Sequence, residues 1–229
     1  QVADYPHQAA WLAPADRELL EARLTEEQRA IAPVANYAAA FKSPRVIALS
    51  AQYFLWSIGV YGFVIWLPSM LKTRDMGMVE LGYLSAVPYL AAVIAEIAAS
   101  AWSDLSGKRT GVMWPCLALA AAAFYGSYLL GASHFWISFA LLTIAGAAMY
   151  APYGPFFAYI AEILPANVAG GAIALINGMG ALGSFVGAYG VGRLNGMTGS
   201  SGASYLMMAA ALIVAAILTF LAPEKARAP

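Results

Sequence analysis

Glu96 is the first residue to consider, because it is a carboxyl group inside a long apolar stretch. Ile94 and Ile97 flank it, and it stands seven residues before Ser103. A carboxylate in hydrocarbon is costly, so such a residue faces a cavity, has a partner or stays protonated. Desolvation favours the protonated form, which makes Glu96 a candidate proton carrier. The alternative is a neutral Glu96 that hydrogen-bonds to another helix and serves packing.

Two amides also lie in apolar surroundings. Asn177 stands in a run of small and aliphatic residues, and its two N–H donors and carbonyl acceptor suit the hydroxyls or carboxylate of a sugar acid. Hydrogen bonding between membrane helices is the common alternative. Gln52, Trp56 and Tyr61 fall at helical spacing and could line a polar cavity, although an aromatic belt or core packing explains the aromatics equally well.

A third candidate is the segment 149–157, which contains two prolines and a glycine among aromatic residues. These residues kink or loosen a helix, and membranes tolerate this where neighbours or water satisfy the freed carbonyls. The pattern predicts either a gating hinge with Tyr153, Phe156 and Phe157 beside a cavity, or a static kink filled with aromatic rings.

Enzyme and metal chemistry find little support in the sequence. Cys116 is the single cysteine, and the two histidines, His7 and His134, are far apart. Ser133 is adjacent to His134, so the pair cannot form a catalytic dyad across two helices. We therefore expect no enzyme activity, no metal site and no cofactor.

The composition identifies the environment that these residues share. Of 229 residues, 62% are hydrophobic and 10% are charged, whereas soluble domains carry about 25% charged residues. Lys plus Arg and Asp plus Glu number 12 each, which leaves no basic surface for nucleic acid. The chain is an integral membrane protein.

A spanning helix needs about 20 mostly apolar residues. Residues 1–45 form a polar leader, 46–222 the membrane region and 223–229 a tail. The membrane region contains six predicted spans: Val46–Leu71, Leu81–Ser103, Gly111–Ala132, Phe135–Ile160, Val168–Leu194 and Ala203–Ala222. The fold class is therefore an all-α membrane protein with six transmembrane helices.

The charges of the connecting segments predict the orientation. If the leader is cytoplasmic, nine Lys and Arg residues share its side and three lie opposite. Positive residues accumulate on the cytoplasmic side, so both termini are expected in the cytoplasm. Within the leader, a helix is predicted from Pro14 to about Ala30, with surface pairs Arg17–Glu21 and Arg23–Glu27 at four-residue spacing.

Three stretches carry a resemblance to a known family. Ser100-Ala101-Trp102-Ser103-Asp104-Leu105-Ser106-Gly107-Lys108-Arg109 resembles the loop signature G-x-L-x-D-(R/K)-x-G-(R/K)-(R/K) of the major facilitator superfamily, with Ser100 and Leu105 departing from it. The glycine-rich stretch Ala169–Gly187, including Asn177, resembles the eleventh helix of the anion:cation symporter branch. Trp11-Leu12, Arg17 and the Leu20–Leu24 helix resemble that branch's central loop.

The resemblance implies that the six spans correspond to helices seven to twelve of a twelve-helix transporter built from two halves. It implies a substrate contact at Asn177 and a conformational latch at Asp104 and Arg109. Proton coupling in this branch usually resides in the other half, which favours the packing role for Glu96.

We therefore expect the C-terminal half of a secondary transporter, a proton-coupled symporter of an organic anion in a bacterial inner membrane. Its expected partners are the anion, the proton, the lipid bilayer and a missing N-terminal six-helix half. The expected binding residues are Asn177, Gln52, Tyr153 and Phe157. The alternative is a non-transporting membrane scaffold or assembly subunit with the same fold.

Overall fold

The computed structural model of the chain describes residues 6–29, 38, 41–72 and 76–223. These residues form helices joined by short connections, and no strand is present among them. In chain order, the α-helices of this part are α1 (Pro14–Arg29), α2 (Pro44–Leu71), α3 (Met78–Ser106), α4 (Arg109–Leu130), α5 (Phe135–Tyr150), α6 (Tyr153–Ile163), α7 (Ala166–Thr198) and α8 (Gly202–Leu221). The connector 73–75 and the tail 224–229 lie outside the described residues.

The six predicted spans are confirmed. Within the described residues, six segments are long and apolar enough to cross a membrane: Pro44–Leu71, Met78–Ser106, Arg109–Leu130, Phe135–Ile163, Asn167–Thr198 and Gly202–Leu221. The boundaries differ from the prediction by a few residues. The third span ends before Ala132 because Gly131 leaves the helix with φ 53°, a conformation that side chains disfavour.

The helix of the fourth span is interrupted at Pro152, within the segment where the prolines predict a kink. Helix α5 ends at Tyr150, and α6 begins at Tyr153 with Pro152 as its N-cap. Pro152 has no N–H to donate and its ring crowds the preceding turn. The interruption sets the direction of the short helix α6, which carries Tyr153, Phe156 and Phe157.

Helix α2 is the centre of the bundle. It packs most extensively against α7 and α8, while α4 packs against α5 and α8. Helix α3 is peripheral and packs mainly against α5, so most of its large apolar side chains remain exposed. The largest fully buried side chains of the core come from α2, α4, α5, α6 and α7, and include Trp56, Phe63, Phe124, Met149 and Phe156.

Glycines determine how closely α7 approaches α2. A Cβ atom added at Gly183 would overlap the backbone carbonyl of Phe54, and one at Gly187 would overlap that of Ile58. The two helices therefore touch backbone to backbone along the G-x-x-x-G pair. Such close approach lets van der Waals contacts stabilise helix pairs in a membrane.

The leader helix forms as predicted, but its predicted pair Arg17–Glu21 is wrong. Arg17 turns back and donates to the carbonyl oxygens of Ala10 at 3.1 Å and Leu12 at 2.9 Å. Glu21 lies 2.7 Å from the ring Nδ1 of His7. An acidic residue on the N-terminal side is the better order for a helical ion pair, and Arg17 has the reverse order. The side chain of Glu27, predicted to pair with Arg23, lies outside the described residues.

Candidate functional site

The aromatic side chains of α2 and α6 meet in one group. The ring centroid of Tyr53 lies 6.3 Å from that of Tyr153 and 5.9 Å from that of Phe157. Trp56 lies 4.4 Å from Tyr153 by the same measure, and Tyr53 stacks on Phe156 at 5.1 Å. The sequence-predicted residues Tyr153 and Phe157 are therefore brought together around Tyr53.

Trp56 fastens this group to the interruption of the fourth span. Its indole N–H donates to the backbone carbonyl of Met149 at 2.8 Å, just before α5 ends. The side chain is fully buried, and its bond links α2 to the last turn of α5. Of the two alternatives for Trp56, this burial favours core packing over cavity lining.

Tyr53 and Tyr153 both carry hydroxyl groups, and their rings meet edge to face. Helix α7 leaves room for the Tyr53 ring at Gly180, where an added Cβ atom would overlap that ring. The ring is partly exposed. This places a polar and aromatic surface where α2, α6 and α7 meet.

Asn177 precedes Gly180 by three residues, which is about one turn of α7. Its side chain is exposed, and it has no hydrogen-bond partner among the residues that the structure describes. The alternative of an interhelical bond is therefore not realised in this part of the chain. An accessible amide, one turn from the glycine that contacts Tyr53, is therefore available to a ligand.

Gln52 is placed differently from the other predicted binding residues. Its side-chain N–H donates to Oγ1 of Thr219 at 2.7 Å, and Thr219 donates in turn to the carbonyl of Ala215 at 2.8 Å. The exposed fraction of Gln52 is 2%. The amide joins α2 to α8 inside the bundle, so the structure does not bring Gln52 to the surface that carries Asn177.

Glu96 lies on α3 with its side chain partly exposed. Among the described residues it has no hydrogen-bond or ion-pair partner, so the expected packing bond to another helix is not found there. Glu96 is near enough to Tyr150 to interact with its hydroxyl electrostatically. No hydrogen bond or ion pair in the described part of the chain therefore holds the carboxyl group.

The loop signature forms an ion-pair network centred on Arg109. One guanidinium nitrogen donates to Oδ1 of Asp104 and to Oγ of Ser103, the latter at 3.0 Å. Nε and Nη2 donate to Glu162 at 3.0 and 2.8 Å. Gly107 ends α3 with φ 65°, which is the turn that folds Arg109 back over the end of that helix.

Sequence reasoning paired Asp104 with Arg109 and missed Glu162 as the third member. It also missed the interaction between Tyr150 and Glu96. A possible signal was the position of Glu162 one residue before the end of α6, at the membrane edge where a carboxylate needs a cation. No signal in the local sequence identifies its partner, because the pair forms only when α6 returns to the start of α4.

Comparison with known proteins agrees with the fold. Residues 77–229 match the Major Facilitator Superfamily. A putative tartrate transporter of Agrobacterium vitis is 32% identical over 222 residues, which cover 96% of this chain and 49% of the relative. A quinolone resistance transporter of Acinetobacter baumannii is 27% identical over 218 residues, covering 94% and 50%. An alpha-ketoglutarate permease of Bacillus subtilis is 26% identical over 185 residues, covering 79% and 42%. The chain spans about half the length of the curated relatives it matches.

Proposed function

Because the chain belongs to the Major Facilitator Superfamily, we propose that it forms one half of a secondary transporter for an organic anion. The family and the names of its relatives indicate a transporter and not an enzyme. Two relatives are named for organic acids, tartrate and alpha-ketoglutarate. The working protein combines this chain with a second six-helix half, as its half-length match to the relatives suggests.

The observation that carries this proposal is the polar surface at the junction of α2, α6 and α7. Asn177 presents an accessible amide on α7, one turn before Gly180, which contacts the Tyr53 ring, and Tyr53 contacts Tyr153 and Phe157. Polar groups at membrane depth that lack protein partners require water or a ligand. The substrate binds against this surface, with Asn177 donating to it and Tyr153 and Phe157 supporting it.

The second half supplies the positive charge for the anion. The sequence has no Lys or Arg in 46–71, 76–107 or 110–192. Apart from Arg45, Arg109 and Arg193 near the helix ends, the spanning helices therefore offer neutral donors only. A carboxylate accepts hydrogen bonds and is held most strongly by cations. The carboxylate end of the substrate therefore points towards the other half.

Transport is coupled to protons through Glu96. Its carboxyl group lacks a hydrogen-bond or ion-pair partner in the described chain and lies near Tyr150, so it can exchange a proton with water in the cavity.

Asp104, Arg109 and Glu162 act as a conformational latch. In one conformation they join the end of α3, the start of α4 and the end of α6. The protein resides in the bacterial inner membrane with both termini in the cytoplasm.

The test uses proteoliposomes that contain either the chain alone or the chain joined to an N-terminal six-helix half. Uptake of labelled tartrate is measured with an imposed proton gradient and with competing unlabelled acids. The joined protein should show saturable, competable uptake, and the chain alone should show none. Saturable uptake by the chain alone overturns the half-transporter assignment. Absence of uptake of tartrate, 2-oxoglutarate and succinate by the joined protein favours the scaffold alternative.

A further inference from the structure

Three tyrosine hydroxyls of the bundle have no assigned role. They belong to Tyr61 of α2, Tyr89 of α3 and Tyr150 at the end of α5, and together they are called the tyrosine cluster. None of the three has a hydrogen-bond partner among the residues described. Tyr61 is 42% exposed and the other two are partly exposed, so their hydroxyls are accessible.

The three side chains converge from three helices. The ring centroids of Tyr89 and Tyr150 are 6.3 Å apart, and Tyr150 stacks on Tyr153 at 5.6 Å. The hydroxyls of Tyr61 and Tyr89 are both close enough to that of Tyr150 to interact with it electrostatically. The tyrosine cluster thus continues the surface formed by Tyr53 and Tyr153.

The chemistry of these hydroxyls narrows what they can recognise. A phenol both donates and accepts a hydrogen bond, and so does an alcohol, whereas a carboxylate only accepts. A phenol without a partner in a dry environment loses free energy, so its hydroxyl requires water or a ligand hydroxyl. Each of the three tyrosines lies in a stretch without Lys or Arg, namely 46–71, 76–107 and 110–192. The best match is therefore the hydroxylated part of an organic acid.

We propose that the tyrosine cluster determines specificity by hydrogen-bonding the hydroxyl groups of the transported acid. This inference rests on the proposed transport function and narrows its substrate class to hydroxylated carboxylic acids. A site built to bond a ligand hydroxyl discriminates against the analogue that lacks it, because its own polar groups are then left unpaired.

Tartrate and succinate provide the test, since they share a four-carbon dicarboxylate skeleton and differ by two hydroxyls. Their affinities are measured by competition in the joined protein and in Tyr61→Phe, Tyr89→Phe and Tyr150→Phe variants. Phenylalanine keeps the ring and removes only the hydroxyl. We expect the wild type to prefer tartrate, and each variant to lose about 2- to 10-fold in tartrate affinity, the usual net effect of one neutral hydrogen bond. Succinate affinity should stay unchanged.

Tyr83→Phe is the matched control, since Tyr83 also lies on α3 but is 74% exposed and outside the cluster. If the wild type transports neither acid, the proposed function itself fails. If it transports both, while the variants keep the tartrate preference, only the role of the cluster is overturned. An equal loss of affinity for both acids in the variants also overturns the role of the cluster, because that result indicates a change of cavity shape instead of hydroxyl recognition.

Discussion

Arg109 donates two hydrogen bonds to the same carboxylate oxygen of Glu162, although 53 positions separate the two residues in the sequence. This pair joins the start of α4 to the end of α6, and Arg109 also reaches Asp104 at the end of α3. One guanidinium group thus connects three helix ends. The two carboxylates differ in exposure, since the side chain of Asp104 is 67% exposed and that of Glu162 is 32% exposed.

The difference in exposure predicts unequal coupling energies. Water screens exposed ion pairs, which usually contribute about 0 to 1 kcal/mol. We expect a double-mutant cycle with Arg109→Ala and Glu162→Gln to give a coupling near the upper end of that range. The cycle with Arg109→Ala and Asp104→Asn should give less. Denaturant unfolding in detergent micelles measures both cycles, and a larger coupling for Asp104 would contradict the arrangement.

This network shows what the sequence could and could not predict. The six spans were predictable because about 20 apolar residues in a row have few other uses, and the interruption followed from Pro152. Asp104 and Arg109 were predictable because both belong to the loop signature that the resemblance identifies. Glu162 was not, because its contact depends on how α6 packs. Gln52 shows the same limit. Helical spacing predicts which face of α2 carries Gln52, but not that Thr219 of α8 packs against that face.

The close contact between α2 and α7 predicts that one added methyl group will strongly lower the stability of the bundle. Gly183→Ala places a Cβ atom against the carbonyl of Phe54, which is backbone and cannot rotate away. We expect a loss of about 1 to 3 kcal/mol in the free energy of unfolding, as is typical of overpacking. Gly178→Ala is the control on the same helix, because nothing lies within 4 Å of its added Cβ atom. Unfolding curves that shift equally for both variants would show that helix propensity, and not contact, is measured.

Asn177→Ala should weaken substrate binding without destabilising the bundle. A hydrogen bond to a charged ligand contributes about 1.5 to 3 kcal/mol, or roughly 10- to 150-fold in affinity. The exposed side chain has no partner in the described chain to lose. Asn195 offers a matched control on α7, since its Oδ1 accepts from Ser204 at 2.6 Å. Asn195→Ala should therefore lower thermal stability and keep the affinity. The opposite pattern for the two variants would argue for a packing role of Asn177.

The proposed orientation predicts which connections react with a membrane-impermeant thiol reagent. Cys116 is first replaced by alanine. Single cysteines are then introduced by Ser106→Cys, at the last residue of α3, and by Ser200→Cys, between α7 and α8. In intact cells the reagent should label the Ser200 variant only, and the Ser106 variant should react after permeabilisation. Labelling of both variants in intact cells would contradict the topology, since an odd number of spans separates the two sites.

Glu96→Gln separates proton coupling from packing. Glutamine keeps the size of a protonated glutamic acid and most of its hydrogen bonding, but it cannot release a proton. If Glu96 carries the coupled proton, the joined protein with Glu96→Gln should lose uphill accumulation of tartrate driven by a proton gradient. Counterflow should continue, because exchange of substrate for substrate needs no net proton movement.

The packing role predicts a different pair of results. A structural Glu96 would already be protonated, so Glu96→Gln would leave accumulation unchanged, and Glu96→Ala would lower stability by leaving a partner group unsatisfied. The structure contains no such partner among the described residues, so we expect Glu96→Ala to leave the unfolding transition near that of the wild type. Glu80→Gln on α3 serves as the control for removing one carboxylate from the same helix. Full accumulation by the Glu96→Gln protein would end the assignment of the proton to this residue, whatever the stability of the alanine variant.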